Sequence, residues 1–595
     1  MKRFSAAALV LLSLALPAFS QDKKPEDTKP IDFMWGVKIP MRDGVRLNAT
    51  VYKPKDMKEP LPVIFTLTPY IADTYHERAY YFAQNGYVFA LVDVRGRGNS
   101  QGIFEPLVHD GRDGHDIVEW LARQPWSNGK VTMWGGSYAG FDQWSTVKEF
   151  PPHLATVVPV ASAHPGVDFP FENNIFYPYE MQWGTYTSGV TPQGNLRRES
   201  SFWIQKYREL YLTHRPFREF DKMVGNTPAF FQTWLEHPVP DAFYDAMVPA
   251  ADDYKRVSIP ILSITGHYDG DQRGAMEFYR RHMKYGTAQA KENHFLIIGP
   301  WDHAGTRTPS RDVYGLRFGE ASMLDMNKLH KEWYDWTLKG AKKPEFLKNR
   351  VAYYVVGPGA EQWKYADSLE SIAAERRTVY LHSSGAANDA FQSGRMTVER
   401  PARETPDSYT YDPLDTRFGE QEATSGGPFT LDHPITDQTL ALNTFGNGLL
   451  YHTQPFAEEA EISGYVKFAA WIGMDVPDTD FMVVLYEIQP NGTSILLTTD
   501  QMRARYRESL RKEKRAKPGE IYRYEFDKFT WFSRRVMKGS RLRLLVTCPN
   551  TIFMQKNYNS GGVVADETTK DARTAHVTLY HGAEHPSYLE IPLVK

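Results

Sequence analysis

The stretch KVTMWGGSYAG, residues 130–140, decides the reading of this chain. KVTMW reads as a short buried strand, two glycines and Ser137 follow, and a helix is expected directly after them. A serine on so sharp a strand-to-helix turn is held out at the edge of a sheet, where its hydroxyl can act as a nucleophile. The residues two before and two after it must be small, so that strand and helix can approach. Gly135 and Ala139 fill these places; alanine departs from the usual glycine but is the next smallest residue.

Outward from this turn the chain divides into three stretches. From about Asp32 to Ser162, strands alternate with helices. VKIPMRDGVRLNATVY reads as a hairpin around Asp43-Gly44; PVIFTLTPY, YVFALVDVRG and ATVVPVASA read as buried strands; helices are expected over 75–86 and in GHDIVEWLARQ. Short apolar strands alternating with helices imply a parallel sheet covered on both faces. From about His164 to Ala251 the chain is rich in Phe, Tyr and Trp, with helices expected near 197–213 and 227–236 and no buried strand. The alternation resumes at PILSITG (260–266) and HFLIIGP (294–300), with helices near 273–284 and 321–338. An inserted helical stretch of this kind is expected as a cap over the carboxyl edge of the sheet, where open α/β sheets bind ligands. From about Asn349, short strands separated by turn-rich loops (VAYYVVG, EISGYVKFAAWI, FMVVLYEI, SRLRLLVTC, AHVTLYH) predict an all-β jelly-roll or sandwich. The expected class is therefore α/β: a hydrolase-type core over 32–163 and 255–345, a helical cap over 164–254, and a jelly-roll domain over 346–595.

A serine nucleophile needs a base, and the base needs an orienting acid. In this architecture they follow the nucleophile in the order acid, then histidine. PILSITG runs into His267-Tyr268-Asp269-Gly270-Asp271, and HFLIIGP runs into Trp301-Asp302-His303-Ala304-Gly305. Both groups fall just past a strand's carboxyl end, on the same edge as Ser137. His303 is the expected base and Asp269 or Asp271 the acid; His267 is expected to be structural or to face the cap. The oxyanion of acyl transfer needs donors. The Tyr138 N–H directly after the nucleophile is one. The loop after an earlier strand, Thr68-Pro69-Tyr70, has no glycine run, so the Tyr70 hydroxyl is the expected second.

Bulk numbers limit the alternatives. The 595 residues suggest about three or four domains at roughly 150 residues each. With 69 basic and 72 acidic residues the formal charge is −3, and no basic excess points to nucleic acid or an anionic membrane. Lys2 and Arg3, an apolar run from Ala6 to Pro17 and Ala18-Phe19-Ser20 form a signal-peptide pattern over 1–20. Residues 21–31 read as a flexible tether. Export to the periplasm or the medium, with no membrane attachment after cleavage, is the expectation. Cys548 is the only cysteine, so no intramolecular disulfide forms. No cofactor is needed and no cluster has metal-ligand spacing. A homo-oligomer is left open.

The chain resembles the family of cocaine esterase, α-amino-acid ester hydrolases and Xaa-Pro dipeptidyl-peptidases. TPY, DVRGRGNSQG, WGGSYAG, HYDG and GPWDHAG carry the resemblance in the core, and DVPDTDF, RARYRES, PGEIYRYEF and HPSYLEIP carry it in the β domain. It implies the three-part fold above, Tyr70 as oxyanion donor, and Asp269 rather than Asp271 as the acid of a Ser137–His303–Asp269 triad. Family members that hydrolyse amino-acid esters bind the ammonium group with three carboxylates. The matching positions here hold Asn174, Asp271 and Gln272, which leaves one carboxylate of three. The implied activity is hydrolysis of a small-molecule ester through an acyl-enzyme. An acylase or dipeptidyl-peptidase cutting an amide is the alternative, and a non-catalytic binding protein on a hydrolase scaffold the remote one.

Overall fold

The computed structural model describes residues 30–425, 434–436 and 445–594. The expected signal peptide, 1–20, lies outside them, as does the expected tether except for Pro30 and Ile31, and Ile31 already begins a strand. The core is a ten-stranded sheet. Its strands are β1 (Ile31–Pro40), β2 (Arg46–Pro54), β3 (Leu61–Thr68), β4 (Val88–Asp93), β5 (Ser127–Ser137), β6 (Leu154–Ser162), β7 (Ile261–Tyr268), β8 (His294–Asp302), β9 (Val351–Val355) and β10 (Gln362–Ala366). They lie in the order β1-β2-β4-β3-β5-β6-β7-β8-β9-β10. From β4 to β9 every neighbour is parallel; the hairpin β1–β2 at one edge and β10 at the other are antiparallel.

The central strands are apolar and buried along nearly their whole length, because helices cover both faces. The helices Asp110–Ala122, Tyr138–Lys148 and Gln272–Tyr285 pack on one face, where Trp144 stacks on Phe278 with ring centroids 4.9 Å apart. His76–Gln84 and Met326–Lys339 cover the other. VAYYVVG, expected in the jelly roll, belongs instead to the core sheet: Val351–Val355 is β9, buried throughout and parallel to β8. A continuous apolar run suits the interior of a parallel sheet better than a half-exposed sandwich strand.

Between β6 and β7 the cap carries the helices Tyr179–Thr187, Gly194–Arg198, Ser200–Thr213, Phe220–Val224 and Ala229–Glu236. It also holds a two-residue strand pair, Phe171–Glu172 with Ile175–Phe176, too short for any periodicity to reveal. The C-terminal strands, from Glu375–His382 to Tyr588–Val594, form a thirteen-stranded sheet closed around its own apolar core. Val356, just after β9, bridges to Arg534 and so joins the core to this domain.

Candidate active site

Ser137 ends β5 and directly precedes the helix Tyr138–Lys148. Its φ of 64° and ψ of −125° lie outside the favoured regions for a side chain with a Cβ, the mark of a strained, over-determined turn. The neighbouring glycines allow the turn to exist. A Cβ at Gly135 would come within 2.6 Å of the Ala139 Cβ, and one at Gly140 within 2.5 Å of the Val160 carbonyl oxygen. Both are closer than Cβ atoms approach, so these positions exclude every other residue.

The loops after β7 and β8 meet at this turn. His303 Nδ1 is 2.7 Å from Asp269 Oδ1. Asp269 is buried; its Oδ2 accepts from the Thr265 hydroxyl at 2.8 Å, and its Oδ1 also accepts from the Asp271 amide at 3.0 Å. Burial works against its charge, but His303 and these donors outweigh it and hold the carboxyl below its ordinary range. His303 is likewise disfavoured as a cation by burial, yet Asp271 and Asp269 together raise its pKa above the ordinary imidazole value.

Asp271 sits closer to the chemistry than its sequence position suggests. Its Oδ2 accepts from the Ser137 hydroxyl at 3.4 Å and lies 3.8 Å from His303 Nε2. Burial, partly countered by His303, lifts its carboxyl to about 6. The Ser137 hydroxyl thus bonds Asp271.

Tyr70 lies beside this edge. Its hydroxyl oxygen accepts from the Trp183 indole N–H at 3.1 Å, and its ring stacks on Tyr186 of the cap at 5.5 Å. Burial pushes its pKa well up, so the phenol keeps its proton. Tyr138 opens its helix, so its amide is among those with no carbonyl of its own helix to bond. Its phenol is occupied, donating to Asp110 and accepting from the Leu107 amide.

Two expected substrate contacts are elsewhere. Asn174 is fully buried and donates to the Leu510 carbonyl at 2.7 Å; its own carbonyl accepts from Arg503. Gln272 donates to the carbonyls of Gly266 and Trp531, both at 2.9 Å, and accepts from the Trp531 amide at 2.7 Å. The Asn174 side chain ties the cap to the C-terminal domain, and the Gln272 side chain ties the core to it. His267 is also structural: it is buried against Trp531, and burial depresses its pKa to about 3.

Three functional neighbours escaped the sequence reading. Trp183 orients Tyr70. Arg97, fully buried, donates to the Pro69 carbonyl at 2.7 Å and the Thr187 carbonyl at 2.6 Å, tying the Tyr70 loop to the cap. Glu180 is buried on the cap helix with Oε2 unpartnered, its pKa driven well above the ordinary value by burial and then by Asp271. Only Arg97 had a signal, the second arginine of DVRGRG. The other acids near Asp271 are engaged: Asp168 accepts from the amides of His164 and Gly274, and Glu172 pairs with Arg273.

The similarities of this chain to known proteins identify it as a serine hydrolase. Residues 43–305 match the X-Pro dipeptidyl-peptidase (S15 family) model, and residues 344–590 match the X-Pro dipeptidyl-peptidase C-terminal non-catalytic domain. Both segments are thus similar to parts of X-Pro dipeptidyl-peptidases. It is 26% identical over 586 residues to the cocaine esterase of Rhodococcus sp. (strain MB1 Bresler), covering 94% of this chain and 98% of that one. Its fold is similar to an α-amino acid ester hydrolase (TM-score 0.80, 20% identity, 98% of this chain and 100% of the other). It is also similar to an aminopeptidase from a marine sediment Thaumarchaeota archaeon (TM-score 0.77, 21% identity, 98% and 99%). Among the described residues no three His, Cys, Asp or Glu side chains are grouped to hold a metal ion, and no helix is long and apolar enough to cross a membrane.

Proposed function

We propose that the protein is an exported esterase that transfers an acyl group to water through Ser137, His303 and Asp269. The observation that carries this reading is the 2.7 Å contact of His303 Nδ1 with buried Asp269, beside a serine on a strained strand-to-helix turn. Asp269 fixes the tautomer, leaving Nε2 as the basic nitrogen. Ser137 Oγ turns from Asp271 to His303, attacks the ester carbonyl and gives its proton to Nε2. The Tyr138 amide and Tyr70 hydroxyl receive the oxyanion. Collapse expels the alcohol, which takes the proton from His303. Water, deprotonated by the same nitrogen, then releases the acid and restores Ser137. Labelling by a fluorophosphonate tests the nucleophile: the native enzyme should label at Ser137 and Ser137→Ala should not. A native enzyme that turns over esters without labelling would sink the reading.

A second reading, favoured by Asp271, is that the acyl group carries a free amine. A carboxylate oxygen 3.4 Å from the nucleophile suits an ammonium next to the scissile carbonyl, and two structural neighbours are named for amino-acid substrates. kcat/KM on phenylalanine methyl ester against its N-acetyl form decides. A preference of about tenfold for the free amine, near 1.4 kcal/mol, supports the second reading, and equal rates or the reverse preference remove it. Export rests on the pattern of residues 1–20. The mature protein from a native host should begin at Gln21 by N-terminal sequencing.

A further inference from the structure

The chain is close to neutral overall, with a formal charge of −3, but one groove departs sharply from that balance. It runs along the helix Gln272–Tyr285, on a different set of residues from the triad, and encloses about 660 Å³. Six cations line it: Arg280, Arg281, Lys284, Lys291, Arg350 and Lys528. Its acids are Glu277 and Glu370. Lys528 has Asp527 at 3.2 Å. Among the described residues, no carboxylate oxygen lies within 4.0 Å of any of the other five cations.

These side chains are held without being neutralised. The Arg280 guanidinium lies 5.2 Å from the Tyr465 ring centroid, Arg281 lies 5.9 Å from Tyr254, and Lys284 lies 5.0 Å from Tyr285. Contact with an aromatic face steadies a cation and leaves its charge free to act outward. Arg350 reaches the Lys291 carbonyl at 3.5 Å, which fixes it beside another cation. Gathering like charges in one groove costs energy that a multiply charged anion would offset. Arginine forks match phosphate oxygens in pairs, and each phosphate monoester group brings roughly two negative charges. With Lys528 paired to Asp527, five cations against two acids leave about three positive charges, which two such groups at about −1.5 each would match.

We infer that this groove binds a ligand bearing two or more phosphate groups, a site separate from the catalytic one. Isothermal titration of the full chain with tripolyphosphate should give saturable binding that weakens as salt rises. The double variant Arg280→Glu/Lys284→Glu should weaken it at least tenfold while ester turnover stays unchanged. Lys284→Gln/Lys291→Gln, milder in charge, should weaken it in the same direction and serves if the first variant fails to fold. A second arm uses vesicles containing cardiolipin, whose headgroup carries two phosphate groups. Vesicle binding that tripolyphosphate displaces assigns the groove to a lipid headgroup, whereas binding of tripolyphosphate alone assigns it to a soluble ligand. Absence of saturable binding in both arms, or binding that both variants leave undiminished, overturns the inference.

Discussion

Two histidine–carboxylate pairs in this molecule have nearly the same geometry and opposite surroundings. His303 meets Asp269 at 2.7 Å in the core, and His581 meets Asp407 at 2.9 Å in the jelly roll. In both, the carboxylate is fully buried and accepts from further donors: Thr265 and an amide for Asp269; Ser383, Tyr451 and an amide for Asp407. The difference is the imidazole's second nitrogen. His581 is 0% exposed and its Nδ1 is taken by Glu404 at 3.0 Å, so no nitrogen remains to move a proton. The His303 side chain is 34% exposed, and its Nε2 faces Asp271 at 3.8 Å beside Ser137. A histidine–acid pair alone is therefore not a site. An unblocked second nitrogen beside a nucleophile is what separates a catalytic pair from a staple.

The comparison can be broken most directly by exchanging the acids for amides. Asp269→Asn should lower kcat by about 10⁴-fold, through the wrong tautomer, and Ser137→Ala by at least as much. Asp407→Asn should leave kcat within about twofold and lower stability by about 3–5 kcal/mol, because it leaves His581 without one of its buried partners. Stopped activity in a folded Asp407→Asn protein would abolish the distinction. Next in size, Tyr70→Phe should cost about 10²–10³-fold in kcat with little change in KM, read from steady-state kinetics on one ester.

The pH dependence sharpens the same contrast. Asp407, like Asp269, is buried yet held below the ordinary carboxylate range, chiefly by His581 in its case. A depressed carboxyl contributes stability that is present above its unfolded pKa of about 3.9 and is lost as pH falls through the folded value. Denaturation midpoints of native protein and Asp407→Asn should therefore converge as the medium is acidified below about pH 4. On the catalytic side, His303 must be neutral to act. Since Asp271 raises its pKa, Asp271→Asn should move the acid limb of kcat/KM to lower pH; an unmoved limb would remove Asp271 from the electrostatics of the site. A small kinetic effect is also expected of Gln272→Ala. Its kcat/KM should stay within about threefold, while the melting temperature falls as buried groups of Trp531 lose their partner, at about 1–3 kcal/mol each.

What could be read in the sequence followed from how local each signal is. The turn at Ser137 is written in eleven consecutive residues. The loops bearing Asp269 and His303 could be placed because each follows its own buried strand, and parallel strands deliver their carboxyl ends to one edge. Asn174 and Gln272 misled because alignment with a family fixes position along the chain, not the direction of a side chain. They turn toward Leu510 and Trp531 respectively, more than 200 residues away in sequence. VAYYVVG misled because an apolar run of that length fits either domain.

The sequence by itself determined the architecture and the class of chemistry, since these depend on periodicity, strand order and small residues at fixed offsets from Ser137. Tertiary structure alone decided that Asp271 contacts Ser137, that Trp183 and Arg97 hold the Tyr70 loop, that both nitrogens of His581 are engaged, and that six cations from the middle and the C-terminal part of the chain share one groove. Each of these is a meeting of residues from distant elements. No local pattern records which side chains folding brings within a few ångströms, and it is over that distance that hydrogen bonds and charges act.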